Sequence, residues 1–272
     1  MAKLSFTIND NTLVPEKRRR EVKVAGSQAE IDHLVSEGYL LIDGIFERAQ
    51  LQSLGEALDR VVARETHDPA TEHLAGNGHY VRDLLNKDTA FHSLLAMHKP
   101  LAISRVVLGP QVWFDAEARV VPAGIAGLRV NWHIHHRVIP DPMPPFFSYP
   151  HAIHGLLYLD DVDDDNGPIC LLPRSHASPH LSFPTGSQQD REGQVLLPVR
   201  AGACLLAHAN LWHRTIPTTA NARRRRVILF GYTPAWIKSD VARGVKADRA
   251  LTDTLREQGD DETRELLGGF VW

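Results

Sequence analysis

The sequence predicts a mainly β fold, a sandwich or barrel flanked by helices, on three observations. From residue 111 to about 236, short β-branched and aromatic runs alternate with clusters of Gly, Pro, Asn and Asp. Before them, residues 27–110 carry apolar side chains at helical spacing. After them, residues 237–272 return to a polar, helical pattern with Leu251, Leu255, Leu266 and Leu267.

The elements follow in order. Residues 1–26 are polar and charged and read as a peripheral arm. In "SQAEIDHLVSEGY", Ser27 and Glu30 match a capping box, Ile31, Leu34 and Val35 form the apolar stripe, and Gly38 ends the helix. "YLLIDGIF" reads as a short buried strand. In "ERAQLQSLGEALDRVVAR", Leu51, Leu54, Leu58, Val61 and Val62 recur at helical spacing. Two more helical segments are expected near 83–98 and 100–108, stopped by Gly109-Pro110. The strands are expected in "VWFDAEARVV", "GLRVNWHIHHRV", "HGLLYLDDV", "PICLLP", "QVLLPV", "ACLLAH" and "RRVILFGY". Asn166-Gly167 is a strong hairpin-turn signal. Asp161, Asp163 and Asp165 alternate as in a calcium loop, but Asn166 stands where that loop needs Gly and Leu172 where it needs Glu. With no internal repeat or long linker, a single domain over 1–272 is expected.

Bulk properties narrow the function. A net charge of −3 gives no global attraction to nucleic acid or to a membrane surface. Two cysteines, Cys170 and Cys204, make no disulfide framework, and no apolar run reaches membrane-span length. The N-terminus lacks the apolar stretch of a secretory signal. A soluble, cytoplasmic protein is expected.

Histidine is the outlier, with nine of 15 between residues 133 and 213. Chance alone supplies roughly 0.8 His-x-His pairs at this composition, so "NWHIHHR" needs support from its surroundings. On a strand, His133 and His135 share a face while Ile134 and His136 take the other. A third ligand must come from a distant segment, with His213 in "ANLWHRTIP" the first candidate and His208 the competitor. A second feature is "NARRRRVILFGY", where four arginines run into a strand apolar on both faces. Arg225 shares its face with Val227 and Leu229, and Arg224 and Arg226 share the other. An Arg at the mouth of such a strand must snorkel or pair with an anion, which its planar fork grips at two points.

Taken together, these stretches resemble the phytanoyl-CoA dioxygenase-like family of Fe(II)/2-oxoglutarate oxygenases from about residue 27 to 268. The ordered set is "AEIDHLVSEGYLLIDGIF", "WHIHH", "LLYLDDVDDDNGPICLLPRSH", "AGACLLAHANLWHRTIPTT", "RRRRVILFGYTPAW" and "RELLGG". The resemblance implies a double-stranded β-helix, or jelly roll, at 111–236, with Fe(II), 2-oxoglutarate as cosubstrate, and O2. It implies His133 and His213 as metal ligands, Thr215 beside the cosubstrate, and an Arg on its far carboxylate. Arg225 fits best by offset, with Arg224 and Arg226 as alternatives.

The chain departs from the family pattern at one position, where His135 replaces the usual carboxylate of the two-His, one-carboxylate triad. Three readings follow: His135 ligates in a three-His site, His135 leaves a vacant position, or the site has lost oxygenase activity. Asp141, in the Pro-rich loop, is a further substitute. His136, Arg137 and His151 are expected near the substrate, because loops around a rigid barrel mouth carry recognition. The competing function is a catalytically silent jelly-roll protein that binds metal or ligand. A zinc-dependent hydrolase on the same histidines ranks third, for want of an evident general base.

Overall fold

A computed structural model describes residues 3–9, 18–23, 25–65, 72–74, 78–135, 140–147, 151–178, 180–237 and 249–269. Helix α1 (Gln28–Glu37) starts as its capping box requires. The Glu30 backbone N–H donates to Ser27 Oγ at 3.2 Å, and the Ser27 N–H donates to Glu30 Oε2 at 2.7 Å. Gly38 closes it in a left-handed conformation at φ 84°. Helix α2 (Arg48–Glu65) and helix α3 (His98–Leu108) follow at the expected places, and α4 (Ala250–Gln258) and α5 (Asp261–Leu266) form the tail.

The strands are β1 (Lys3–Asn9), β2 (Arg18–Lys23), β3 (Tyr39–Ile42), β4 (Glu72–Leu74), β5 (Gly78–Val81), β6 (Val112–Val121) and β7 (Val130–His133). They continue with β8 (Ile153–Tyr158), β9 (Ile169–Leu171), β10 (Val195–Leu197), β11 (Cys204–His208), β12 (His213–Thr215) and β13 (Arg225–Pro234). A seven-stranded sheet runs β3-β11-β8-β13-β6-β5-β4, a four-stranded sheet runs β10-β9-β12-β7, and β1 pairs with β2 alone. This is the antiparallel double-sheet architecture of a jelly roll.

Each sheet face has a distinct partner. The outer face of the large sheet, with Phe114, Ala116, Ala118, Ile228 and Phe230, packs against Leu54, Leu58, Val61 and Phe91 of the helical layer. Fully burying each such side chain contributes about 1.5–3 kcal/mol before entropy. At one end of the inner space Tyr158, Ile169, Leu171, Leu205 and Val227 close the two sheets on each other. Behind the small sheet, Trp132, Cys170 and Trp212 form a third cluster.

Three expectations need correction. The first 110 residues are less helical than their apolar spacing suggests, because β4 and β5 extend the large sheet. Within 83–98 the chain makes short 3-10 helices, Leu84–Asn86 and Thr89–Ala96, not one α-helix. Asp88 caps the second, accepting from the Ala90 N–H, and so restarts the chain in mid-segment. Asn166-Gly167 does make a tight turn, with Gly167 at φ 72°, but it is no hairpin. It carries the chain from β8 in one sheet to β9 in the other. Among the described residues, no helix is long and apolar enough to cross a membrane.

Candidate metal centre

Strand β7 ends at His133, and its direct antiparallel partner is His213, the first residue of β12. His135 lies just past the strand end, where its backbone N–H donates to the Ala209 carbonyl at 2.9 Å. That bond keeps the segment close to strand-like, so the i, i+2 relation survives and both side chains enter the cavity between the sheets. Trp132, on the opposite face, is buried behind the sheet and donates from Nε1 to the Gln189 carbonyl at 2.8 Å. The alternation in "LWHRT" works likewise: His213 and Thr215 line the cavity, while Arg214 is buried behind, over the Trp132 ring.

The three rings converge. One nitrogen from each of His133, His135 and His213 lies within 4.8 Å of the others. His135 Nε2 and His213 Nε2 are 3.3 Å apart. Two nitrogens held roughly 2.0–2.1 Å from one ion, at angles near 90–110°, would be roughly 2.8–3.4 Å apart, so this spacing suits shared coordination. The backbone sets the ring orientation. His133 Nδ1 is 2.9 Å from the Asn131 carbonyl, and His213 Nδ1 is 2.8 Å from the Leu211 carbonyl. An imidazole that donates from Nδ1 offers Nε2 to the cluster, the usual supporting arrangement around a metal-binding histidine. Burial, the main cause, with help from the Arg119 charge, holds His213 below the ordinary histidine range, although its bond to Leu211 opposes the shift. The neutral form that can ligate is thereby favoured.

The cavity is about 1310 Å3 and opens between the two sheets. The structure separates the four arginines. Arg223 pairs with Asp163 at 2.7 Å, Arg224 with Asp59, and Arg226 with Asp160 at 2.7 Å and Asp59 at 3.2 Å. Arg225 is buried and lines the cavity. Its Nη1 donates to the carbonyls of Asn166, at 2.8 Å, and Gly167. Among the described residues no carboxylate pairs with it. Burial pulls its guanidinium down to about 10, with the Arg119 charge adding to the shift and Tyr158 opposing it. A buried cation facing a cavity without a counter-ion is suited to an anionic ligand. Thr215 Oγ1 accepts from the Val130 N–H at 2.7 Å and keeps its own O–H to donate.

Other expected residues fall elsewhere. His136 and Arg137 lie outside the described residues. His151 is not part of the cavity lining. Its Nδ1 lies 2.8 Å from Nε2 of His208, which is buried beneath the helical layer and serves as a structural histidine. Asp141 is exposed in its loop and does not join the cluster. Conversely, the cavity wall includes Tyr80, Asp115, Glu117, Arg119 and His154, none of them expected from the sequence. Three of them, Asp115, Glu117 and Arg119, belong to "VWFDAEARVV", where buried and part-buried residues alternate from Val112 to Val120. The polar members face the cavity and not bulk solvent. His154 stacks on His135 with ring centroids 4.1 Å apart.

A jelly roll whose small sheet brings three imidazoles to one point in the cavity has the build of a metal-binding site on a cupin-like fold. Residues 34–226 match the family model described as phytanoyl-CoA dioxygenase, and the chain belongs to that family of Fe(II)/2-oxoglutarate oxygenases. Fe(II), 2-oxoglutarate and O2 are the cofactors of the family. It is 25% identical over 180 residues to the ectoine dioxygenase of Stutzerimonas stutzeri (strain A1501). That match covers 60% of this chain and only 55% of the relative, about half its length. Among solved structures, the chain resembles a non-heme alpha ketoglutarate dependent epimerase, SnoN, from nogalamycin biosynthesis. The TM-score is 0.60 at 20% identity, covering 90% of this chain and 95% of the other. It also resembles HygX from Streptomyces hygroscopicus with nickel and 2-oxoglutarate bound. There the TM-score is 0.60 at 18% identity, covering 81% and 95%. At these identities the two structures speak for the fold.

Proposed function

We propose that this protein is an Fe(II)- and 2-oxoglutarate-dependent oxygenase that hydroxylates, or otherwise oxidises, a C–H bond of a small molecule. The observation that carries the reading is the convergence of His133, His135 and His213 in the cavity that also holds the unpaired guanidinium of Arg225. Fe(II), held by the three imidazoles, would supply O2 activation coupled to 2-oxoglutarate decarboxylation. Arg225 binds the far carboxylate of the cosubstrate, and Thr215 donates its hydroxyl to it. Leu156, Ile169 and Val227 line the same cavity and keep water from the bound cosubstrate. His135 takes the place of the family's carboxylate as a neutral ligand, so the site is one negative charge poorer than the two-His, one-carboxylate arrangement.

The relatives support the substrate class, since an ectoine dioxygenase and an epimerase from nogalamycin biosynthesis are both named for small-molecule chemistry. Anaerobic addition of Fe(II) and 2-oxoglutarate should produce a visible metal-to-ligand charge-transfer band, and admitting O2 should release succinate. A protein that gives neither is the silent jelly roll. In His135→Ala the apparent Fe(II) affinity should fall at least tenfold, and unchanged affinity would sink the three-His reading.

A further inference from the structure

The large sheet's cavity wall carries two acidic groups: Glu117 interacts with the Arg119 charge, and Asp115 is left unused by the cosubstrate. Along β6, Asp115, Glu117 and Arg119 project successively into the cavity. Asp115 is paired across the sheet with Gly231 of β13, and Gly231 is paired in turn with His154 of β8. Glycine at 231 is what lets the carboxyl lie there, because a Cβ at that position would stand 2.4 Å from Asp115 Oδ1. The carboxyl thus extends over the gap toward His154, whose ring stacks on His135 of the metal cluster.

Charge is segregated along this wall. Arg119 pairs in register with Val227, and Arg225 lies two residues further from Gly231 on the same face. From Gly231 to Arg225 is six residues, roughly 20 Å of strand. The guanidinium end suits the dianionic cosubstrate, and the opposite end presents a carboxyl near the metal cluster. That carboxyl accepts from its own backbone N–H and that of Gly231, and among the described residues no Lys or Arg pairs with it. Desolvation pushes it up to about 7 against those two hydrogen bonds. A carboxylate held out of water with no cation is costly unless a ligand supplies one.

We propose that Asp115, with Gly231 clearing its space, is a specificity-determining residue that binds an ammonium or similar cationic N–H group on the substrate. The inference rests on the oxygenase reading and names the substrate class for it.

Two probes of equal length test it on the full chain at pH 8: hexylamine, protonated there, and 1-hexanol. Calorimetric titration at millimolar ligand should show hexylammonium binding at least tenfold tighter than hexanol. Asp115→Asn should erase that preference, as should Gly231→Ala, which keeps the acid but displaces it. Near-UV circular dichroism and the melting temperature establish that each variant is folded. Equal or undetectable binding of the two probes by the wild type overturns the proposal, as does a preference that survives Asp115→Asn. The charge-transfer band of the wild type is read separately. A band without amine preference removes this inference alone, and amine preference without a band removes the oxygenase reading.

Discussion

Two clusters of three histidines stand in this protein and behave differently. In the first, His133 and His213 direct Nδ1 to backbone carbonyls of their own segments, and Nε2 remains to face a common point with His135. In the second, His151 Nδ1 meets His208 Nε2 at 2.8 Å, and His208 Nδ1 accepts from the Asn210 N–H at 3.1 Å. His176, 5.1 Å from the His208 ring by centroid, directs Nε2 to the Val35 carbonyl at 3.0 Å. Two rings of the first cluster, His133 and His213, engage one nitrogen with backbone and present the other. The second uses both nitrogens of its central histidine inside the protein. The two clusters thus differ in which nitrogen the backbone engages, the property that decides whether an imidazole has a nitrogen left to offer.

The largest effect that could break this contrast is at His213. His213→Ala should lower Fe(II) affinity by at least a hundredfold while the protein stays folded, as measured by equilibrium titration and circular dichroism. A smaller effect of the opposite kind is expected at His208, which is buried. His208→Ala should cost about 1–3 kcal/mol in chemical denaturation, through the unpaired partners left behind, and leave Fe(II) affinity within threefold. If metal binding fell with it, the two clusters would be one functional unit. The smallest effect is at His151, whose imidazole burial, with a contribution from His176, holds below the ordinary histidine range. The folded protein then binds fewer protons here than the unfolded chain. Stability from this group is present above about pH 6.5 and is lost as pH falls through the lowered value. Melting curves between pH 7.5 and 5.5 should flatten slightly in His151→Gln. A steeper dependence in the variant would contradict the assignment.

Asp115 has the reverse sign. Its raised value means the folded state holds a proton that the unfolded chain has released, so its contribution weakens as pH climbs from about 4 to 7. Asp115→Asn should therefore raise stability at pH 8, by an amount on the order of a few kcal/mol, and leave it nearly unchanged at pH 4.

Much of this arrangement was legible before any coordinates. The seven runs between 111 and 236 each form a strand, because strand periodicity and turn chemistry are local properties. His133, His135, His213 and Arg225, which line one cavity in the fold, were singled out by strand spacing together with the family resemblance. The face assignment of the arginine run followed from the period of two alone. What stayed hidden depends on tertiary context. Three-residue strands such as β4 and β12 are too short to show a period. Asn166-Gly167 announces a turn but carries no information on which strands it joins. The acidic and basic residues of β6 gave no sign of a cavity, since alternation tells polar from apolar but not water from a cavity. Asp115 and Arg119 became visible only when the second sheet closed over them.

The four consecutive arginines also give the chain tolerance to errors of length. A slip of β13 by one residue in its pairing register, as after a one-residue insertion or deletion that the preceding loop fails to absorb, would turn every side chain of that strand to the opposite face. In most strands the ligand-binding group would then vanish from the cavity. Here the slipped neighbour would be another arginine, so the cavity would still receive a guanidinium. Ile228 and Phe230 would be turned away from the helical layer, so the cost would fall on packing first. The run is redundant in the side chain it offers the cavity, through a slip of the pleat that the core would not tolerate.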